Sequence, residues 1–267
     1  MPSKKKKIAP KYKYIFGPVY SWRLGISLGV DPLSAKAKIC SFDCIYCQLG
    51  RTPQRSRHRR TFVPTDELVR EINAVPLKKI DYVTFAGRGE PTLARNLGAM
   101  IKSVRKTRRE KIAVITNASL MDQKGVRDDL ALADFVLAKL DAWDQASFAK
   151  INRPGHARFF QIVRGIKKFR RQFRGKLALQ IMFMKPNRDH AACLAALARD
   201  IRPDEIQINT PLRENPCLPL SVKEMKEIKK AFYGFPVTMV YEARRQRVRP
   251  LNDKSTEKRH GKEQGLS

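Results

Sequence analysis

Short apolar stretches rich in β-branched residues alternate along the chain with segments of helical periodicity. That alternation restricts the possible folds more than any other feature. Strands are predicted near Ile26–Asp31, Ile80–Ala86, Lys111–Thr116, Asp134–Leu140, Leu177–Met184 and Glu205–Asn209. Several are apolar on successive residues, as strands buried on both faces are. Helices are predicted at 66–75, 95–106, 122–132, 157–173, 189–200 and 221–233. In the fourth, Phe159, Ile162, Val163, Ile166, Phe169 and Phe173 recur at helical spacing opposite a face of Arg and Lys, an amphipathic pattern. Thr65 before Asp66 and Glu67 suits a helix start, where acids meet the positive dipole end. Repeated β-then-α units form parallel sheets with right-handed crossovers. Six units fall short of an eight-unit barrel, so the expectation is an α/β fold, either a partial barrel or a doubly wound sheet. Phe235–Tyr241 is a candidate extra strand. In either architecture the active site lies at the carboxyl ends of the strands.

The two ends read differently. Residues 1–13 carry six lysines, and residues from about 243 onward are polar, charged and without periodicity. Both are expected to be disordered basic tails flanking one folded domain over 14–242. The 42% hydrophobic content is enough for a core. No apolar run approaches the roughly 20 residues of a spanning helix, and none follows the basic start as in a signal peptide. The chain is therefore expected to be soluble and cytoplasmic, without a membrane partner.

Five cysteines stand at 40, 44, 47, 193 and 217. Three lie within eight residues, which is no disulfide framework. Cys40, Cys44 and Cys47 form C-x3-C-x2-C directly after the first predicted strand. Three thiolates on one loop can hold metal without closing long chain segments. Structural zinc wants four ligands, and His58 is the nearest candidate fourth. Iron–sulfur cubanes are also held by four cysteines, so three leave one iron open to a small ligand. Iron–sulfur, zinc completed by His58, and three unliganded thiols are the alternatives that spacing leaves. Cys193 sits in an apolar helix and reads as a buried small hydrophobe. Cys217 sits in a Pro-rich, exposed-looking loop.

Other strand ends carry polar residues too. The second is followed by Ala86-Gly87-Arg88-Gly89-Glu90, where two glycines permit close backbone approach or simply a turn. The third ends at Asn117, which suits either a ligand contact or an Asx turn. The fourth carries Lys139 and Asp141 on one face. Such charges on a buried strand need each other or a ligand. The sixth places Gln207 and Asn209 together in the same way.

C-x3-C-x2-C with Tyr46 before the last Cys resembles the signature of the radical S-adenosylmethionine (SAM) superfamily. The resemblance implies a partial (β/α)6 barrel and a [4Fe–4S] cluster on Cys40, Cys44 and Cys47. SAM would chelate the fourth iron. Gly87-Arg88-Gly89-Glu90 is similar to the element that binds the SAM amino group, which implies cofactor roles for Gly87, Gly89 and Glu90; Tyr46 belongs to the cysteine signature, and Asn117, from its strand end, is a further cofactor-binding candidate. Lys139 and Asp141, from their shared strand face, are the catalytic candidates, for SAM binding, substrate binding or proton transfer, against an internal ion pair. The segments Gly17–Asp31, Cys40–Thr52, GRGEPTL, KLDAWDQASFAKINRPG and QINTPLR resemble the uncharacterised branch related to the tRNA wyosine-base synthases. Those synthases carry a second, upstream cysteine triad, and this sequence has no Cys before Cys40. The implied activity is reductive cleavage of SAM to a 5′-deoxyadenosyl radical that takes hydrogen from a substrate. It requires an external one-electron donor of flavodoxin or ferredoxin type.

The formal net charge is +30. Arg51, Arg55, Arg57, Arg59 and Arg60 follow the cysteine loop, and further clusters lie at 102–111, 167–176 and 244–249. Basic clusters on a chain of this charge are the footprint of nucleic-acid binding, here RNA or tRNA, or else a generally basic solvated surface. A metal-stabilised RNA-binding protein and an activase of a partner protein are the alternative functions.

Overall fold

The computed structural model describes residues 12–76, 79–243 and 246–261. Its frame is one eight-stranded sheet: β1 (Ile15–Ser21), β2 (Gly25–Val30), β3 (Tyr82–Phe85), β4 (Lys111–Thr116), β5 (Phe135–Lys139), β6 (Lys176–Met182), β7 (Glu205–Asn209) and β8 (Val237–Met239). Spatial order equals chain order. β1 pairs with β2 antiparallel, and every later pair is parallel. Consecutive parallel neighbours joined by helices place those helices on one face and curl the sheet into a partial barrel.

The helices are α1 (Thr65–Asn73), α2 (Leu97–Thr107), α3 (Lys124–Leu130), α4 (Gln145–Asn152), α5 (Phe159–Gln172), α6 (Ala191–Ile201), α7 (Val222–Lys230) and α8 (Asp253–His260). Their apolar stripes bury against the outer face of the sheet. Leu97, Met100, Ile101 and Val104 of α2, for example, join Val83, Phe85, Ile112 and Val114 of β3 and β4 in the main core. Alternation along the strands sends the other set inward. Ala113, Phe135, Leu137 and Ala178 meet Leu24 of the β1–β2 turn and close the floor of the barrel. Truncating a core Leu such as Leu97 to Ala would cost about 2–5 kcal/mol.

The predicted strands and the six predicted helices are present within a few residues, and Phe235–Tyr241 contributes β8. Three differences have physical causes. β1 is an antiparallel addition whose Gly and Pro content hides its alternation. α4 is a short helix opened by the Asp144–Ser147 capping box and merges in sequence with the loop before α5. The third difference is α8, which lies in the stretch read as a disordered tail. It docks through polar contacts: Gly17 N–H to Thr256 Oγ1 at 2.9 Å, Leu251 N–H to Gly17 O at 2.6 Å, and Arg259 to Asp31 at 3.0 Å. A helix seated this way has no apolar stripe to read. At the other end, Lys13 N–H donates to Glu71, while the tail reading for 1–11, 244–245 and 262–267 lies outside the described residues.

Candidate active site at the carboxyl mouth of the barrel

The chain leaves β2 at Asp31 and returns at α1, and the loop between carries the three cysteines. Asp31 is buried and caps this departure. Its carboxylate accepts from Leu33 and Ser34 N–H at 3.2 and 3.0 Å and pairs with Arg259. A Cβ on Gly87 would lie 2.4 Å from the Asp31 carboxyl carbon. At Gly89 a Cβ would lie 1.6 Å from Ile39 O. Both positions have positive φ, 145° and 154°. These glycines therefore let the cysteine loop lie directly on the β3 end, where Glu90 N–H donates to Ile39 O and Ile39 N–H to Arg88 O. The other side of the loop is pinned to the end of α4 by Asp43 N–H to Asn152 O and Ile45 N–H to Ile151 O, both at 3.0 Å. Thr52 N–H to Asp43 at 2.7 Å closes it.

Cys44, Tyr46, Asn117, Lys139, Asp141 and Asn152 line one crevice at this mouth. The structure thus brings together five of the sequence-predicted residues. Asn152 is a sixth that the sequence reading passed over, though it lies within the quoted INRPG run. Asn117 Nδ2 lies 3.5 Å from Cys40 Sγ and donates to Ser41 Oγ at 2.9 Å. Asn152 Nδ2 lies 3.4 Å from Cys44 Sγ and 3.0 Å from Asp141. The Asx turn is real as well, since Ser119 N–H donates to Asn117 Oδ1 at 3.0 Å. Burial, with Cys44 beside it, pushes the Cys40 thiol up to about 12. Burial and Asp141 push Cys44 to about 11. As thiolates they need a compensating cation or metal. Among the described residues no three His, Cys, Asp or Glu converge on a single ion, and His58 is exposed. The buried, amide-flanked thiols of Cys40 and Cys44 fit the thiolate ligation an iron–sulfur cluster would use.

Glu90 is 1% exposed. Oε1 accepts from Thr92 N–H at 3.1 Å and from the Thr92 and Thr116 hydroxyls at 2.6 Å each, and Oε2 accepts Asn117 N–H at 2.7 Å. Burial raises its pKa while those donors pull it back. Asp141 is 2% exposed. It accepts from the Tyr46 hydroxyl and from Met182 N–H at 2.8 Å, and lies 3.4 Å from Lys139 Nζ. Lys139 Nζ also sits 5.0 Å from the Tyr46 ring centroid. Burial, with the Asp141 charge, raises the Tyr46 phenol well above its usual value.

Two other residues differ from their sequence reading. Cys193 is exposed, because the buried face of α6 is Ala191, Leu194, Ala195 and Ala198. Cys217 is half-buried beside a small cluster of Tyr46, Ile151 and Met184, and burial raises its pKa. The Arg88 side chain donates to the carbonyls of Ala35 and Lys36 on the cysteine loop. The Arg-rich loop is partly spent on fastening. Arg57 donates to Ser119 O at 3.0 Å and reaches Asp122, while Arg59 pairs with Asp129 and donates to Thr92 O at 2.9 Å. Arg51, Arg55 and Arg60 stay exposed.

A sequence model described as the radical SAM superfamily matches residues 36–198. A UPF0026 protein of Synechocystis is 39% identical over 204 residues, covering 76% of this chain and 77% of that protein. Among solved structures, TYW1 with a lysine-pyruvate adduct bound has a TM-score of 0.61 at 14% identity, over 80% of this chain and 76% of that one. Native anSMEcpe with bound AdoMet has a TM-score of 0.61 at 16% identity, over 80% of this chain and 64% of that one. The structural likenesses establish the partial-barrel fold.

Proposed function

The chain belongs to the radical SAM superfamily, and from that membership we propose that it is an enzyme cleaving SAM reductively to drive hydrogen abstraction from a substrate. The observation that carries this reading is the seating of C-x3-C-x2-C at the carboxyl ends of parallel strands, with Asn117 and Asn152 amides turned to two of the sulfurs. Cys40, Cys44 and Cys47 would hold a [4Fe–4S] cluster, and Gly87, Gly89, Glu90 and Tyr46 would line the SAM side. When bound, a reduced cluster would supply the one electron that cleaves the sulfonium of SAM to methionine and a 5′-deoxyadenosyl radical. An external donor of flavodoxin or ferredoxin type is required.

The chain's own residues orient and shield. The Asn117 and Asn152 amides present N–H dipoles to the sulfurs, which sets both charge and potential there. Glu90 Oε1 is saturated by three donors, so Oε2 is the atom left to meet the SAM ammonium. Asp141 holds Tyr46, Asn152 and the Met182 amide together, acting through them as a positioning residue. Lys139 keeps donor capacity toward the crevice, and a contact or proton transfer to SAM or substrate falls to it. Phe42 and Phe148, edge-on at 5.2 Å, form an apolar wall against water. Among the described residues no helix is long and apolar enough to cross a membrane. Action in the cytoplasm, on an RNA or tRNA substrate, is part of the same proposal.

The test is anaerobic reconstitution with iron and sulfide, then dithionite and SAM, with 5′-deoxyadenosine as the readout. The native protein is expected to form it, and the Cys40→Ala, Cys44→Ala, Cys47→Ala triple variant to form none. A colourless protein that binds zinc and cleaves no SAM would overturn the reading.

A further inference from the structure

The floor of the barrel is apolar, but the layer above it is cationic and short of acceptors. Arg23 rises from the turn between β1 and β2 and reaches Gln180 on the inner face of β6. With the Gln180 carbonyl oxygen toward it, Arg23 donates from Nη2 and from Nε, the latter at 2.6 Å. Turned the other way, the same oxygen accepts from Lys139 Nζ at 3.3 Å. One neutral oxygen thus stands between two cations and can serve only one. Arg213 lies near enough to Arg23 that its charge disfavours the Arg23 cation. Arg213 itself holds Gln48 Oε1 at 3.1 Å and His260 Nε2 at 2.9 Å.

Lys139 is balanced by Asp141 at 3.4 Å, but Arg23 is not balanced in this way. Among the described residues Arg23 has no acidic partner within ion-pair distance. Asp141 is filled by Tyr46, Asn152, the Met182 amide and Lys139. Glu205, deeper in the barrel, is taken by Lys176, Gln207 and Thr238. Burial is the larger reason, and Arg213 the smaller, that Arg23 is lowered to about 9. Next to Gln180 in register is Gln207, whose buried Oε1 has no hydrogen-bond partner. A partly buried guanidinium whose hydrogen-bond acceptor is a neutral carboxamide has a fork geometry that suits a carboxylate or phosphate.

We propose that Arg23, with Gln180 and Lys139 beside it, binds an oxyanion of the substrate inside the barrel. The group is a carboxylate or a phosphate. Gln207 Oε1 accepts from a hydroxyl or ammonium on the same molecule. The assignment of this anion to the substrate rests on the radical SAM reading, while the anion site itself does not. Arg23 stacks on Trp22, with its guanidinium carbon 4.3 Å from the ring centroid, so an anion drawn to it should alter tryptophan fluorescence.

The test titrates the reconstituted holoprotein, freed of excess iron, with inorganic phosphate and with acetate, against chloride at equal ionic strength. Saturable changes in fluorescence and a rise in Tm are expected from at least one anion. Response to phosphate alone identifies a phosphorylated substrate, and response to acetate a carboxylate. Arg23→Gln should weaken binding at least tenfold while the Kd for SAM stays within twofold. Gln180→Glu supplies the missing anion internally, so it should abolish binding and raise Tm even if Arg23→Gln fails to fold. The site is overturned if neither anion gives a saturable response, or if Gln180→Glu binds as the native protein does. A response that SAM alone abolishes would give Arg23 to the SAM carboxylate and overturn the substrate assignment. A protein that binds phosphate but forms no deoxyadenosine would keep the anion site and lose the radical reading.

Discussion

Glu90 illustrates how a single side chain at this mouth can be both scaffold and ligand. Each of its oxygens accepts one backbone N–H, from Thr92 at Oε1 and from Asn117 at Oε2. A carboxamide cannot serve both, because its NH2 would face one of those N–H groups in either orientation. Glu90→Gln is therefore expected to lower stability by about 1–3 kcal/mol, the cost of an unsatisfied buried donor, read by urea unfolding of the cluster-free protein. An unchanged midpoint would mean that the network has slack. Cysteine spacing, and the resemblance it carries, pointed to the cysteines and to Glu90 beforehand. They did not make Asp31, Asn152 or Arg259 legible, because each acts on atoms far away in sequence: Asn152 touches Cys44 across 108 positions and Arg259 touches Asp31 across 228.

At the scale of elements, the strands and the amphipathic helices were readable because burial imposes a period on them. α8 was not, since it is held by hydrogen bonds and one buried ion pair. The Arg259 and Asp31 side chains are 7% and 1% exposed. Removing one partner leaves a buried charge uncompensated, so Arg259→Ala is expected to cost about 3–5 kcal/mol. The same change should loosen the C-terminal helix from β1. Hydrogen exchange on Gly17 and Leu251, whose amides bond Thr256 and cross to Gly17, would report it. Retained protection at both amides would show that the pair is not what seats the helix. α8 also reaches the site: the His260 carbonyl accepts from Gln48 at 2.7 Å and from Arg213 at 2.7 Å. The segment read as a tail thus braces the residue that follows Cys47.

For the molecule as a whole, the +30 charge is unevenly available. Lys167, Arg170, Lys176, Arg105 and Arg108 all have acidic partners and sit toward the amino ends of the strands, away from the cysteines. At the mouth, Arg57 and Arg59 are paired, which leaves Arg51, Arg55 and Arg60 exposed. If those three contact RNA phosphates, log K for tRNA should fall with log salt at a slope of about −2 to −3, from roughly −0.7 to −0.9 per phosphate. Arg51→Ala should reduce the slope by about one such step, whereas Arg57→Ala should lower Tm more than it changes the slope. Binding indifferent to salt would favour a protein partner instead. The sequence by itself determined the α/β class and the place of the cysteine loop, and the resemblance carried by that loop implied the partial barrel, because strand and helix burial leaves a period and metal ligands leave a spacing. Only the tertiary structure decided which charges are spent, where Arg23 points and that residues 253–260 fold. Those depend on which polar groups meet across the closed barrel, and polar pairing, unlike apolar burial, leaves no period along the chain.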